Sequence, residues 1–258
     1  MYATERHARI LGELETAGRV SVSTLAHALD VTPETVRRDL DALEATGALR
    51  RVHGGAVRRS SLVELGIGER ERRNTPAKRA IAALALDLVR QTSPAAISID
   101  AGTTTRAFAD LLADHVPAEG RLGVVTNAVP ILLRLQDNAA LIVHAVGGVV
   151  RPETSAMVGM PALEAFAGYR CDLAFVGANG LSAGFGLSTP DEREAAVKTA
   201  MVRGARRTVA LVDSSKHGEE SFQRFARLAD LDVLITDTAP EAELADALAA
   251  ADVEVLVP

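Results

Sequence analysis

Cysteine and, among the cations, lysine are scarce in this 258-residue chain. A single cysteine, Cys171, leaves no partner for an intramolecular disulfide. Long apolar runs are missing too: the strongest, AIAALAL at 80–86, falls far short of the roughly 20 residues that span a bilayer, so no membrane segment is expected. The opening MYATERHARI is charged and lacks the apolar stretch of a secretory signal, which makes the cytoplasm the expected compartment. There is no G-x-x-x-x-G-K-[ST] loop, no G-x-S-x-G elbow and no Cys/His cluster at metal spacing. These absences count against nucleotide hydrolysis and zinc chemistry, and neither a metal nor a cofactor is expected. Of 28 basic residues only Lys78, Lys198 and Lys216 are lysine, so each invites a reason: either chance, or a site that wants a compact ammonium with rotatable donors.

What is present is a chain rich enough in apolar residues, at 48%, to bury a large core, with charge spread unevenly. The overall charge is -6, yet residues 1–59 hold nine arginines against eight acids, a net +1, and the remainder holds 19 basic against 26 acidic residues, a net -7. Three arginine pairs cluster in the N-terminal part: Arg37-Arg38, Arg50-Arg51 and Arg58-Arg59. Local clusters of this kind suit a polyanion.

Apolar spacing predicts a helix over about Thr4–Ala17, carried by Ile10, Leu11 and Leu14 and ended by Gly18. A short second helix follows in SVSTLAHALD, with Ser21 and Ser23 available as caps. After a tight connection at Asp30 and Val31, Thr32 caps a third helix, Pro33 takes its first position, and it stops near Thr46 and Gly47. Then ALRRVHGGAV alternates around a glycine pair, as a two-stranded hairpin would. On the third helix Val36, Leu40 and Leu43 share the inward face, Arg38 falls almost opposite, and Arg37 lies on the flank. Helix, helix, turn, helix and wing is the helix-turn-helix order, with Thr35 and Arg38 set to reach base edges and Arg37, Arg50 and Arg51 set along the phosphates. A surface-only alternative pairs Glu34 with Arg38 and Arg37 with Asp41 at i,i+4 spacing.

Residues 59–77 lack sustained periodicity and read as a linker between a 1–58 DNA-binding domain and a 78–258 domain. In the latter the β-rich runs AAISID, LGVVTN, LIVHAVGG, LAFVGANG, TVALVD and VLITD alternate with helical patterns, the signature of an α/β fold with a mostly parallel sheet covered on both faces. Ligands of such sheets bind beyond the strand ends. There Gly102 with Thr103, Thr104 and Thr105 offers hydroxyls and amides at a helix start, a natural anion cradle. Other strand ends contribute Asn127, Arg151, Asn179 and Lys216, and Glu194 and Lys198 share a helix face. A carboxylate, a lysine and a phosphate loop would also suit proton abstraction beside a carbonyl, so an aldose–ketose isomerase stays open on these residues.

The stretch RVSVSTLAHALDVTPETVRRDLDALEATGALRRVHGGAV resembles the signature of the DeoR family of bacterial transcriptional regulators. The likeness continues through DAGTTT, VVTNA, VGGVVRPET, DLAFVGANG, STPDEREAAVK and VDSSKHG. It implies a winged helix joined to a sensor domain similar to ribose-5-phosphate isomerase, acting as a sugar-catabolism repressor released by a phosphorylated sugar. The implied contacts to double-stranded operator DNA are Thr35, Arg37 and Arg38, and Thr32, Arg50, Arg51 and His53 complete the candidate DNA-binding set. The implied effector set is Asp100, Gly102 to Thr105, Asn127, Glu194, Lys198 and Lys216, to which the strand-end residues Arg151 and Asn179 are added as candidates. Asn179 stands where the isomerases tend to offer a carboxylate, which favours binding without catalysis over a DNA-tethered isomerase. One small winged helix covers little sequence, so a homo-oligomer, dimer or tetramer, is expected on a repeated or palindromic operator.

Overall fold

A computed structural model describes residues 3–17, 19–46, 48–52, 54–58, 67–115 and 121–258. The chain forms two compact units, Met1–Ser61 and Leu62–Pro258.

In the first, α1 (Ala3–Ala17), α2 (Val22–Leu29) and α3 (Pro33–Ala45) enclose Ile10, Leu14, Leu25, Val36, Leu40 and Leu43, with Leu49 and Ala56 closing the core from below. Asp30, in the left-handed region at φ 53, ends α2 and makes the sharp turn toward α3. The sheet is larger than a hairpin. Besides β2 (Leu49–Val52) and β3 (Gly55–Arg58), a strand β1 (Arg19–Ser21) lies antiparallel on β3, Val20 opposite Ala56. The glycine pair of the wing explains the addition. A Cβ on Gly55 would stand 2.0 Å from the Val20 carbonyl oxygen, so only glycine lets β1 come this close. Gly54 takes φ +79, which a side chain would resist.

The second unit runs α4 (Ile67–Arg72), α5 (Thr75–Thr92), β4 (Ala96–Ile99), α6 (Thr103–His115), β5 (Leu122–Thr126), α7 (Val129–Leu135), β6 (Leu141–Ala145), β7 (Val149–Arg151), β8 (Ala156–Val158), α8 (Met160–Ala167), β9 (Cys171–Val176), β10 (Gly180–Ser182), β11 (Gly186–Thr189), α9 (Glu192–Gly204), β12 (Ala205–Leu211), β13 (Gln223–Ala226), β14 (Val233–Ile235), α10 (Ala242–Ala250) and β15 (Glu254–Leu256). The segment read as a linker therefore contains α4 and the first turn of α5. No apolar periodicity announces them because a lysine ties them together. Lys78 is buried, and its ammonium donates to the carbonyls of Arg70 and Arg73 at the end of α4. Burial pushes its pKa down.

Seven strands form one parallel sheet in the order β15-β14-β12-β9-β4-β5-β6. Apolar strands such as β9, with Leu173, Phe175 and Val176 buried, are the near-continuous runs that a doubly covered sheet requires. Phe108 of α6 packs on Phe175 with ring centroids 4.5 Å apart. The order reverses between β4 and β9: β5 and β6 lie on one side, β12, β14 and β15 on the other. At such a switch point the loops leaving neighbouring strand ends diverge and open a crevice. Asp100 leaves β4 and Gly177 leaves β9 at that point.

Candidate DNA interface and candidate effector site

Helix α3 starts on a built cap: the Thr32 hydroxyl accepts the Thr35 amide at 3.2 Å and lies 2.9 Å from the Thr35 hydroxyl, and Pro33 occupies the first turn. Val36, Leu40 and Leu43 are buried as their spacing requires, leaving Glu34, Arg37, Arg38 and Ala42 exposed. Arg38 engages no hydrogen bond or ion pair among the described residues, and its guanidinium is uncommitted. Arg37 binds Glu34 at 3.1 Å, one turn back at i,i+3, and Asp41 receives Arg51 of β2 at 3.4 Å. Neither is the i,i+4 pairing: Arg37 turns back to Glu34, and β2, folded against α3, brings Arg51 to Asp41. Arg51 also donates to the Arg37 carbonyl at 3.3 Å, and its amide donates to Glu44 at 2.8 Å. Its guanidinium thus fastens the wing to the third helix. His53 lies outside the described residues, as does the side chain of Arg50.

Sequence reasoning missed Asp39. It is buried beside the Val36, Leu40 and Leu43 stripe, where it accepts Arg6 through two nitrogens at 2.7 and 2.9 Å and lies 3.0 Å from His7 Nε2. An acid on the apolar face of a helix was the available signal. The bond from Arg6 holds the Asp39 carboxyl below the usual carboxylate range, with His7 adding to it. A carboxyl depressed in the folded state stabilises in full above its unfolded pKa, and that contribution fades as pH falls through the folded value. Asp39→Asn should therefore lower the unfolding temperature by several degrees at pH 7. The gap to the parent should close as the medium is acidified below the usual carboxylate range, which thermal unfolding monitored by circular dichroism across pH would show. A gap that persists unchanged in acid would mean the carboxylate is not what α1 holds.

At the switch point two pairs of buried charges meet. Asp100 and Lys198 are bonded to each other; the Lys198 ammonium also donates to the Gly177 carbonyl at 3.1 Å, and the Gly177 amide donates to Asp100 at 3.1 Å. Burial pushes the Asp100 carboxyl up against the pull of that ammonium, and Glu194 nearby adds to the rise. Glu194 accepts Arg151 at 3.1 Å and the hydroxyls of Thr154 and, at 3.5 Å, Thr189. Asp191 caps α9 by accepting the amides of Arg193 and Glu194 at 2.9 and 3.1 Å, which aims Glu194, and it lies 3.2 Å from Arg151 Nε. Asn179 Oδ1 accepts the Thr189 hydroxyl at 3.2 Å. Glu194 and Lys198, four apart on one face, are thus buried and committed to separate partners rather than to each other.

Asn127, at the end of β5, donates from Nδ2 to the Met157 carbonyl at 3.1 Å, which fixes the amide's orientation. Its Oδ1 is buried with no partner among the described residues. The cradle at α6 is narrower than its sequence suggests. The Thr105 hydroxyl is spent on the carbonyls of Asp100 and Gly102, at 2.7 and 3.0 Å, because that bond closes the strand-to-helix turn. The hydroxyls of Thr103 and Thr104 and the amides of the first turn remain. Lys216 sits half-buried in the turn Ser214–Lys216 that follows β12, at the same sheet edge but without a hydrogen bond to the charged cluster. Lys78 is spent on carbonyls and Lys198 on Asp100, so Lys216 is the lysine whose ammonium has no partner among the described residues. Thr154, buried at 2% exposure, was not legible in the sequence, since nothing local distinguishes it.

A helix-turn-helix with a wing, followed by an α/β unit whose charged groups gather at a switch point, defines a ligand-responsive DNA-binding regulator. The chain belongs to the DeoR family of transcriptional regulators: residues 6–62 match the DeoR-like helix-turn-helix domain and residues 73–238 the DeoR C terminal sensor domain. It is similar to the HTH-type transcriptional regulator GlpR of Haloferax volcanii, 36% identical over 99% of this chain and 98% of that one. It is also similar to the glycerol-3-phosphate regulon repressor of Haemophilus influenzae, 31% identical over 92% of this chain and 90% of that one. Among solved structures, ribose 5-phosphate isomerase A of Methanocaldococcus jannaschii aligns with 56% of this chain and 55% of its own at 19% identity and a TM-score of 0.40. Among the described residues no helix is long and apolar enough to cross a membrane.

Proposed function

We propose that this regulator represses a sugar-catabolism operon and leaves its operator when a phosphorylated sugar binds the switch-point site. The observation that carries the reading is the division of labour at the strand ends. Lys198 and Arg151 are neutralised by Asp100 and Glu194, which leaves the α6 amides and the Lys216 ammonium to meet an anion. Asn127 Oδ1, Asp100 and Glu194 supply acceptors for hydroxyl groups. A ligand with hydroxyls at one end and a phosphate at the other matches both. The Haemophilus relative is named for a regulon of a phosphorylated polyol, which agrees. Binding proceeds without turnover: the carboxylate and lysine suited to proton transfer are each held in an ion pair, and Asn179 offers an amide. In the cell the protein works as a cytoplasmic homo-oligomer whose paired recognition helices read two half-sites.

Calorimetric titration with a panel of sugars and their phosphate esters tests the site. The ester should bind at least about a hundredfold more tightly than its parent sugar, as charge-assisted hydrogen bonds to phosphate imply. Equal affinities would remove the anion cradle, and measurable aldose–ketose interconversion would restore the isomerase reading.

A further inference from the structure

Helices α4 and α5 are separated by Arg73 and Asn74, and the backbone of Asn74 sits in the left-handed region at φ 52 and ψ 34. Its side chain reaches 139 residues along the chain. Nδ2 donates to Asp213 Oδ1 at 2.8 Å and to the Ser215 hydroxyl at 3.1 Å. Asp213 is the buried cap of the turn that carries Lys216, accepting the Ser215 amide at 3.3 Å and the Ser215 hydroxyl at 2.5 Å. A second strut joins the same segment to the other anion-facing element: Arg106, one residue beyond the threonines that open α6, stands 3.9 Å from Glu71 of α4. Lys78 then binds the end of α4 to the start of α5 through the Arg70 and Arg73 carbonyls. Helix α4 is therefore linked to both elements from which an anion would be held. It is also the first described element of the second unit, following the DNA-binding unit in the chain.

We infer that Asn74 is a positioning residue that passes occupancy of the effector site to the α4 segment; this rests on the sugar-phosphate reading above. Pulling the Lys216 turn toward a bound phosphate moves Asp213 and Ser215, the two acceptors of the Asn74 amide. A left-handed residue between two helices is where such a displacement becomes a change of backbone direction, because the helices themselves resist bending. Asn74 touches no ligand in this scheme. Its loss should spare binding of the sugar phosphate and of DNA and should cut the link between them.

Asn74→Gly separates side chain from backbone, since glycine takes the left-handed conformation without steric cost and removes the amide. The full-length chain is first given a duplex selected from a random library. In the parent, the tightest sugar phosphate of the calorimetric panel should lower duplex affinity by about tenfold or more, and in Asn74→Gly by less than about threefold, with both binary affinities within about threefold of the parent. Full release in the variant would overturn the inference, and so would loss of sugar-phosphate binding, which would make Asn74 part of the site itself. Amide hydrogen exchange without any ligand provides an independent arm, in which residues 213–217 should exchange faster in the variant. If the parent is not released by any sugar phosphate, the reading of the site fails, and this arm alone decides the link: unchanged exchange at 213–217 would overturn it.

Discussion

Lys216→Met should yield a repressor that binds its operator as the parent does and no longer responds to its effector. The half-buried ammonium has no partner among the described residues, in a chain that otherwise uses arginine and has committed its two other lysines to a carboxylate and to carbonyls. A cation at a strand end, beside a sheet edge where acceptors gather, is placed to gain a charged partner when an anion arrives. Methionine keeps most of the stem's bulk and removes the charge, so packing of the Ser214–Lys216 turn should survive. A charge-assisted bond to phosphate of the usual strength implies that the sugar-phosphate concentration for half release rises by about ten- to a hundredfold. Because a ligand shifts an equilibrium only by its differential affinity for the two states, loss of a contact made in the released state leaves operator affinity itself in place. The measurement is operator binding across an effector titration at one salt concentration, parent beside variant. Unchanged release would discard Lys216 as a ligand, and loss of operator binding without effector would make it structural.

The second large effect is expected at the other end of the chain. Arg38→Ala should cost about 1–3 kcal/mol of operator affinity and relax the preference at the base pair it reads, because an outward arginine early in a recognition helix can grip guanine bidentately. The structure strengthens the choice of Arg38 over its neighbours. Arg37 is tied to Glu34 and Arg51 to Asp41, whereas Arg38 is exposed and free among the described residues. Competition binding against operator variants and random duplex gives the answer. A variant that discriminates as well as the parent would show that α3 presents a different face to DNA.

Much of the architecture was legible from local pattern. The Thr32 cap, Pro33 and the Val36–Leu40–Leu43 spacing place α3 within a residue of its observed ends, since capping and helical period depend on neighbours in the chain. Six apolar runs correspond to β4, β5, β6, β9, β12 and β14; five are interior strands, which have to be apolar where both faces are covered, while β6 lies at the sheet edge with Ile142 and His144 exposed. The third strand of the wing sheet was not legible. Three residues, Arg19 to Ser21, carry no alternation long enough to read, and what makes them a strand is the bare backbone of Gly55. The first described helix after residue 66 was hidden for a similar reason, being held by the ammonium of Lys78 rather than by an apolar face.

At the effector site the residue types were visible and their partners were not. The sequence by itself determined that Asp100 and Arg151 follow strands, that Glu194 opens a helix and that Lys198 shares its face one turn on, since strand ends, helix starts and helical period are local features. Only the tertiary structure decided that Lys198 goes to Asp100, 98 residues away, and Arg151 to Glu194, 43 away, in place of the neighbourly Glu194–Lys198 pair. The same holds for Asp39, whose partners lie on α1. The physical reason is desolvation. A charge on the surface can pair with a helix neighbour or with water at little difference in free energy, but a buried one has to be matched by whatever opposite charge the folded chain brings within reach.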